Sequence, residues 1–529
     1  MSSSAALPAI STRISHGGYL GTVRFVGAVE GTSGIWLGIE WDDPSRGKHD
    51  GVKDGKRYFT CLVPNSGSFI RPSAAVSYGS SFLTALISKY IELPHGSSTL
   101  EKVVLGSSHG AIEVEAVGLD KIRSKLAQLE RLQQVSLDGE GVSSPDPPGR
   151  ISSTCPGIRG LDLSRNLIPS WDVVALIVSE LPHLQRLALN QNRLLPFSDH
   201  ARAASAFRTI TELQLNATLT LWPALHDVIR GMPSLRSIEM GYNNLRTLPA
   251  SHGVHLAVKE LNLDSNALSG WRATCEALIS FPSLQRLVLT ANGIQTIDPY
   301  PSDTGAARLV NLKHLSLSFN HLRSWRDVDV LPLWCPVLES LTLMGNPLVE
   351  DPEMGKNARQ FTIAKIGSLI VLDAAGIIPK ERTDSELFYL SYLSRHGPPG
   401  EDALPRWHEL CDKHGKPDSL PATAQERQDT LGSRLIEVHI HRCTEPPTTH
   451  PPSSSPSPTP LRVLPTMSIR TLVMKLVKTL KLPRGAPMRL WLRMPNESFA
   501  ELHGDDARDL AWWGIEDGSE VFVSADGAT

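Results

Sequence analysis

The sequence contains no long hydrophobic run, no strong excess of charge and no paired cysteine motif. Its densest apolar stretch, residues 173–178, is far shorter than the roughly 18 residues that a membrane-spanning helix needs. The net charge of −3 argues against a dedicated nucleic-acid-binding protein, which would be strongly basic. The first ten residues lack the features of a secretory signal, and the six cysteines are scattered. These absences favour a cytoplasmic protein with reduced thiols over membrane-spanning and secreted classes.

A repeated pattern occupies the chain from about residue 130 to about residue 350. The pattern LxxLxLxxNxL begins clearly at Leu184, Leu284 and Leu312, and successive copies start 23 to 28 residues apart. This period predicts an α/β leucine-rich repeat solenoid of about nine units, with a short strand at each LxL. We expect the repeated Asn to bond neighbouring backbone in a ladder, although one copy has Thr218 instead. The ladder residues are Asn166, Asn192, Asn243, Asn266, Asn292, Asn320 and Asn346.

The chain is predicted to divide into five ranges. Residues 11–78 form an N-terminal module, residues 79–130 a linker with a helical lead-in, and residues 131–385 the solenoid with a C-terminal cap. Residues 386–432 are predicted to be a helical linker, and residues 433–529 a C-terminal module. The cap is needed because the last repeat would otherwise expose its core.

The N-terminal module is rich in glycine and aromatic residues and predicts a small all-β barrel. It contains the stretches GTVRFVG, GIWLGIEWDDP, GKHDG, RYFTC and GSFIRP, in which alternating strands are separated by Gly and Pro turns. Cations lie close in sequence to aromatic residues, a composition that suits an extended acidic peptide with an aromatic end. The alternative is an ordinary solvated surface. The cations are Lys48, Lys53, Lys56, Arg57 and Arg71.

These motifs resemble the CAP-Gly domain family. The family signature is GKNDG, and here it is GKHDG, with His49 in place of Asn. The resemblance implies binding of acidic C-terminal tails that end in Glu-Glu-Tyr or a similar sequence, as on α-tubulin. Neutral His49 can donate one hydrogen bond, so we expect tail binding to survive, with a possible pH dependence. The predicted tail-binding residues are Phe25, Trp36, Trp41, Lys48, His49, Asp50, Gly51, Phe69 and Arg71.

The concave face of the solenoid is predicted to carry mostly acidic side chains. Side chains alternate along a strand, so the residues that flank the paired leucines point out of the core. The ionisable ones are Asp138, Asp162, Arg186, Glu212, Glu239, Glu260, Asp264 and Arg286. Two interpretations stay open: a solvated surface, or a partner-binding strip that repels acidic tails. The strip would consist of Glu212, Glu239, Glu260 and Asp264.

The C-terminal module resembles the ubiquitin-like family. Residues 434–443 alternate as a half-buried strand, and residues 467–480 have the apolar spacing of a helix. Further strands are predicted at LRVLP, MRLWLRM and VFVS, giving a ubiquitin-like β-grasp fold. A Pro/Ser-rich insertion at 444–460 is low in complexity and is predicted to be disordered.

No motif for catalysis, a cofactor or a metal stands out. Two groups could hold a metal, His439 with His441 and Cys443, and His408 with Cys411 and His414, but an ordinary surface is the favoured interpretation. The sequence contains no HExxH, GxSxG, kinase or dinucleotide-binding pattern. We therefore expect no enzyme, no cofactor and no metal.

The order of the three modules is similar to that of the tubulin-folding cofactor E family. The resemblance implies a cytoplasmic, cytoskeleton-associated chaperone that binds α-tubulin. It would act with other tubulin cofactors, and with β-tubulin, in folding, assembly and dissociation of the αβ heterodimer. The alternatives are a microtubule tip-binding CAP-Gly protein and a ubiquitin-pathway adaptor. The adaptor would deliver tubulin to the proteasome through the ubiquitin-like module.

Overall fold

The computed structural model forms two compact units, Met1–Pro417 and Asp418–Thr529. No helix in its described ranges is long and apolar enough to span a membrane. It describes residues 7–92, 129–198, 204–251, 253–301, 307–352, 355–397, 400, 403–416, 435–443, 446–447, 458–480, 488–494, 497–503 and 508–525.

The N-terminal module is an antiparallel sheet with a small apolar core. The sheet order is Gly67–Ile70, Ile35–Trp41, Tyr19–Ala28, Arg13–His16 and Val76–Ser77. A bulge between Val23 and Phe25 shifts the register of the second strand against the third. The extra residue turns Phe25 away from the core that Val23 joins, because a bulge changes which side chains face each side. A separate hairpin pairs Val52–Lys53 with Lys56–Arg57.

The solenoid begins immediately after the N-terminal module. Strand Ser80–Ser81 pairs in parallel with Val142–Ser144, and helix Phe82–Ile87 continues into a wider helical turn at Ser88–Glu92. Phe82 and Leu86 are buried in the solenoid core. This part of the expected linker therefore covers the first repeat. Of the expected helical lead-in, residues 93–128 lie outside the described residues.

A sheet of eleven strands runs the length of the solenoid. All neighbours are parallel except the last pair, and each central strand residue is a buried leucine, isoleucine or valine up to the last short hairpin. The strands are Gln134–Ser136, Gly160–Asp162, Arg186–Ala188, Glu212–Gln214, Ser237–Glu239, Glu260–Asn262, Arg286–Val288, His314–Ser316, Ser340–Thr342, Val371–Leu372 and Ala375–Gly376. Among the described residues, the helices that follow these strands include Arg150–Thr154, Trp171–Val178, Trp222–Ile229, Trp271–Leu278, Trp325–Trp334 and Pro347–Glu350. Four of these helices start at Trp, and three of those indoles are buried. The first residue of these helices is therefore mainly a core position.

Buried asparagines connect successive repeats, as predicted. In one representative repeat, Asn292 Nδ2 donates to Leu263 O of the preceding repeat at 2.9 Å, and Asn292 Oδ1 accepts from Leu268 N at 3.0 Å. Thr218 replaces only part of this pattern. Its hydroxyl donates to Leu215 O of its own repeat at 2.9 Å. The same hydroxyl lies 3.1 Å from Asn243 Oδ1 of the next repeat.

The C-terminal cap continues past the expected start of the helical linker. Helix Pro379–His396 runs across the predicted boundary at residue 385 and packs against the cap helix Ala358–Lys365. Glu386 is 1% exposed in its middle, and basic side chains from helix Leu404–His414 surround its carboxylate. The contacts are Arg406 at 2.8 Å, Lys413 at 2.7 Å and His414 at 2.7 Å. Both helices therefore belong to the same folded unit as the solenoid.

In its described residues, the second unit contains a five-stranded sheet and one helix. Its strands in chain order are Ile436–Arg442, Thr459–Val463, Met488–Arg493, Phe499–Leu502 and Glu520–Ala525. They lie in the order 2-1-5-3-4, with the first and last strands parallel, which is the β-grasp arrangement. Ser468 caps helix Ile469–Thr479 by accepting from Thr471 N. Strand Phe499–Leu502 was not predicted from the sequence.

The predicted fold class is confirmed: an all-β N-terminal module, an α/β solenoid and a C-terminal β-grasp sheet. Of the Pro/Ser-rich insertion, residues 444–445 and 448–457 lie outside the described residues. The last two residues of the predicted insertion belong to strand Thr459–Val463.

Candidate peptide-binding groove

Aromatic rings gather around Phe69 on one side of the N-terminal sheet. Phe69 lies on edge strand Gly67–Ile70, beside the strand that carries Trp36. The ring centres of Phe25 and Trp36 lie 6.2 Å and 6.5 Å from that of Phe69, both edge to face. His49 lies closer, at 5.1 Å. Each of these rings is only half-buried, so together they present an aromatic surface to solvent.

Trp41 does not join this surface, so its prediction as a tail-binding residue is corrected. Its indole is 1% exposed and packs with Ile14, Val23 and Ile39 in the module core. Its indole nitrogen donates to Ser68 Oγ at 2.7 Å, so the ring is fully partnered inside the sheet.

The GKHDG segment is fastened to the same edge strand by backbone hydrogen bonds. Lys48 N and His49 N both donate to Gly67 O, at 2.7 Å and 3.1 Å, and Gly67 N donates to His49 O at 2.7 Å. Gly51 has a φ of +93°, and an added Cβ would lie 2.1 Å from Phe59 O. Only glycine fits this turn without a shift of the backbone.

The predicted charges fall into two groups. Arg71 stacks on Trp36, with its guanidinium carbon 3.8 Å from the ring centre, and Lys48 is exposed. By contrast, Asp50 pairs with Arg57 at 3.3 Å and Lys56 pairs with Glu30 at 3.2 Å. Lys48 and Arg71 are therefore the cations best placed to meet an acidic ligand, while Asp50 holds its own turn.

His49 is tied to the turn that follows it. Its Nδ1 accepts a hydrogen bond from Gly51 N at 3.0 Å. Burial lowers the pKa of His49; the neighbouring Asp50 carboxylate opposes this shift, and Lys48 adds to it. The net effect favours the neutral form of the imidazole.

The acidic strip of the solenoid is also brought together. Glu212, Glu239 and Glu260 lie on three successive parallel strands, and Asp264 follows the third. Burial, followed by the charges of the other three carboxylates, raises the pKa of Glu239, although a hydrogen bond from Asn216 at 3.0 Å opposes the rise. Burial likewise raises the pKa of Asp264. Negative charges therefore meet around Glu239, while Glu260 also pairs with Arg286 at 4.0 Å.

Comparisons with known proteins agree with this architecture. Residues 10–75 match the family model of the CAP-Gly domain. The chain is 34% identical to tubulin-specific chaperone E of Bos taurus over 460 residues, which are 83% of this chain and 85% of that protein. The chain belongs to the tubulin-specific chaperone E family. The Danio rerio member of the family is 32% identical over 536 residues, which are 97% of this chain and 98% of that protein. Among solved structures, the TLR13–ssRNA13 complex is 20% identical, with a TM-score of 0.30, and the match covers 45% of this chain and 38% of that one.

Two groove residues of this tubulin-specific chaperone E family member were missing from the sequence prediction. Tyr58 lies 5.3 Å from Phe25 and 5.6 Å from Phe69, and its hydroxyl accepts from Glu30 N at 3.0 Å. Phe59 is buried beneath, 5.4 Å from Phe69. The signal in the sequence is the adjacent aromatic pair in RYFTC, which follows the GKHDG segment closely.

Proposed function

We propose that this chain is a tubulin chaperone whose N-terminal groove binds the acidic C-terminal tail of α-tubulin. The observation that carries the proposal is the half-buried aromatic surface around Phe69 with Lys48 and Arg71 at its border. The names of the full-length relatives supply the tubulin context. The terminal aromatic ring of the tail would pack against Phe69 and Trp36, and its carboxylates would meet the two cations.

The wider role follows from the same family context. We propose that the chain works in the cytoplasm, in association with the cytoskeleton and without catalysis. It acts with other tubulin cofactors and with β-tubulin in folding, assembly and dissociation of the heterodimer. Relatives named as chaperones support a non-enzymatic role.

The direct test is binding of an α-tubulin tail peptide by full-length variants. Phe69→Ala should weaken the affinity by on the order of thirtyfold, because it removes the ring that all the others contact. Lys48→Ala should weaken it by about tenfold, and less at high salt, because it removes an exposed charge. Lys478→Ala in the second unit is the control, since it removes one exposed cation elsewhere. Unchanged binding by the Lys48→Ala, Phe69→Ala double variant would refute the groove.

A second experiment separates the chaperone from a microtubule tip-binding protein. A chaperone should bind free subunits and reduce the amount of polymer, because it removes subunits from the pool that assembles. A tip-binding protein should instead sediment with microtubules. Pull-down with soluble tubulin, scored against co-sedimentation with polymer, distinguishes the two. Retention by purified proteasomes would support the third role, a ubiquitin-pathway adaptor that acts through the C-terminal module.

The acidic strip is proposed as a second contact, with a less acidic part of the folded subunit or with another cofactor. Its support is the shared negative potential of the adjacent carboxylates around Glu239. Reversing Glu212, Glu239 and Glu260 to Lys together should leave tail-peptide binding intact but weaken capture of whole tubulin. The control reverses two exposed acids on the outer helices, Asp227 and Glu276. If the strip variant captures tubulin and assembles with cofactors as well as the control does, the strip is only surface charge.

A further inference from the structure

The edge of the solenoid at which each strand begins carries a row of exposed cations. Arg159, Arg236 and Lys259 each come directly before the first residue of a strand. Arg208 lies in the turn before strand Glu212–Gln214. All four side chains are exposed to solvent, and they come from four of five consecutive repeats. We call these four residues the basic edge.

Backbone hydrogen bonds between the repeats hold this edge in register. Gln185 N donates to Arg159 O, and Thr211 N donates to Gln185 O, both at 2.8 Å. Arg236 N then donates to Thr211 O, and Lys259 N to Arg236 O, again at 2.8 Å. Neighbouring strands lie about 4.8 Å apart, so the four steps from Arg159 to Lys259 span about 19 Å. The parallel sheet therefore fixes the spacing of the cations.

The positive charge of the basic edge is not cancelled by neighbouring acids. Within the ranges that the structure describes, none of its four side chains forms an ion pair. The turn segments that carry it, 156–159, 182–185, 207–211, 233–236 and 255–259, contain no Asp or Glu. Glu260 follows Lys259 in sequence, but its carboxylate lies 4.0 Å from Arg286 on the next strand. The charge of the edge is thus available to a partner.

We propose that the basic edge is an interaction surface for an extended acidic segment of a partner protein, which lies across the strands with its carboxylates on the cations. An extended chain rises about 3.3 Å per residue, so about six residues cover the 19 Å of the edge. Opposite charges along this length fix the direction and the register of the segment. The edge recognises charge alone, whereas the N-terminal groove also offers aromatic rings, so this inference does not depend on tail binding.

A protein segment fits the basic edge better than a single-stranded nucleic acid does. Proteins that bind single strands combine cations with exposed aromatic rings on which the bases stack. The five turn segments of the edge contain one such ring, Phe207, and it is completely buried. Carboxylates need only the cations, which makes an acidic peptide the suitable ligand.

The test uses a fluorescein-labelled peptide of ten glutamates and the full-length chain. The chain carries Lys48→Ala and Phe69→Ala, so that the N-terminal groove does not contribute to binding. Fluorescence anisotropy measures the affinity at about 50 mM salt, where exposed charges are weakly screened, and again at about 0.5 M salt. We expect binding at the lower salt concentration and a large loss of affinity at the higher one.

Charge reversal on the two edges of the same solenoid gives a matched comparison. Arg236→Glu together with Lys259→Glu should weaken peptide binding by at least about tenfold, because two adjacent cations become anions. The control reverses Arg246 and Arg323, two exposed arginines beyond the other end of their strands, and should change the affinity by less than about twofold. Arg236→Gln with Lys259→Gln removes the charges without adding new ones and should weaken binding by about threefold. This pair decides the question if the reversal lowers the Tm.

Three results would overturn the proposal. Equal weakening by the two reversals would mean that the peptide responds only to the total charge of the chain. No binding of the peptide at the lower salt concentration would make the edge an ordinary solvated surface. Tighter binding of a decauridylate, lost in the Arg236→Glu, Lys259→Glu variant, would assign the edge to RNA instead of protein. None of these results affects the N-terminal groove, which binding of the tail peptide by the unmodified chain tests separately.

Discussion

Removing one asparagine from the ladder should destabilise the solenoid by an amount that can be worked out from its contacts. Asn292 donates to Leu263 O, Leu289 O and Thr290 O, and accepts from Leu268 N. Its side chain is buried, so water cannot replace these partners in the folded state. Asn292→Ala deletes all four bonds together.

Most of the lost stability in Asn292→Ala should come from the backbone nitrogen of Leu268, because the three carbonyl oxygens keep other hydrogen-bond donors. Leu263 O still accepts from Asn266, Leu289 O from Asn320, and Thr290 O from Ser265 N. The backbone N–H of buried Leu268 loses the partner that the side chain supplies. An unsatisfied buried N–H costs about 1–3 kcal/mol, and the lost carbonyl bonds bring the expected loss to about 2–4 kcal/mol.

A threonine variant provides an internal reference, because another repeat of the chain already has a threonine, Thr218, at the ladder position. Thr218 donates to the carbonyl of Leu215, the equivalent of Leu289. Asn292→Thr should therefore recover about 1 kcal/mol relative to Asn292→Ala while Leu268 N stays unsatisfied. Native-state hydrogen exchange of the repeat, with Leu268 as reporter, measures both variants. Gln295→Ala, an exposed amide nearby, should change stability by less than about 0.5 kcal/mol. If Leu268 N–H exchanges as slowly in Asn292→Ala as in Gln295→Ala, the predicted loss of stability is wrong.

Three further predictions address other parts of the molecule. Burial lowers the pKa of His226 to about 4 in the folded chain. As pH falls below about 6.5, this histidine therefore binds a proton in the unfolded chain but stays neutral in the folded chain. The free energy of unfolding of the solenoid should therefore fall by up to about 3 kcal/mol between about pH 6.5 and pH 4. In thermal unfolding, His226→Leu should lose less stability over this pH range than the wild type; an equal pH dependence of the two would contradict the prediction. Deleting residues 446–458 should leave the Tm of the second unit within about 2 °C, because loop length costs little, and a large drop would mean that the insertion is ordered. Gly51→Ala, which would place a Cβ 2.1 Å from Phe59 O, should reduce tail affinity by at least about tenfold. Gly55→Ala shares the strain of a positive φ, +79°, but has open space around its Cβ, so it should reduce tail affinity much less; equal behaviour would count against the turn geometry.

The repeat architecture was predictable because its chemistry is local and periodic. Each repeat carries its own leucines and its own ladder Asn, so one copy predicts the next. The groove was only partly predictable. Trp36 and Trp41 lie five residues apart on one strand and therefore face opposite sides, so the sequence already indicates that they cannot both line one groove. Tyr58 could not be placed in this way, because its contact with Phe69 depends on how two segments fold together.

The boundaries of the solenoid were harder to predict for a related reason. Helix Pro379–His396 is polar in composition and looks like a linker. Its docking depends on buried Glu386, whose partners Arg406, Lys413 and His414 lie 20 to 28 residues further along the chain. A buried carboxylate with distant cations has no short-range pattern in the sequence.

The short connection after the N-terminal module constrains how the groove can be used. Strand Val76–Ser77 belongs to the groove sheet and strand Ser80–Ser81 to the solenoid, so only Tyr78 and Gly79 join them. Gly79 is itself closely packed, since an added Cβ would lie 2.3 Å from Gly141 O. Two residues span at most about 7 Å. If the groove holds a tubulin tail as proposed, the folded subunit that carries the tail is kept beside the solenoid at a high effective concentration. The groove and the acidic strip would then bind it bivalently, with a joint avidity above either affinity alone.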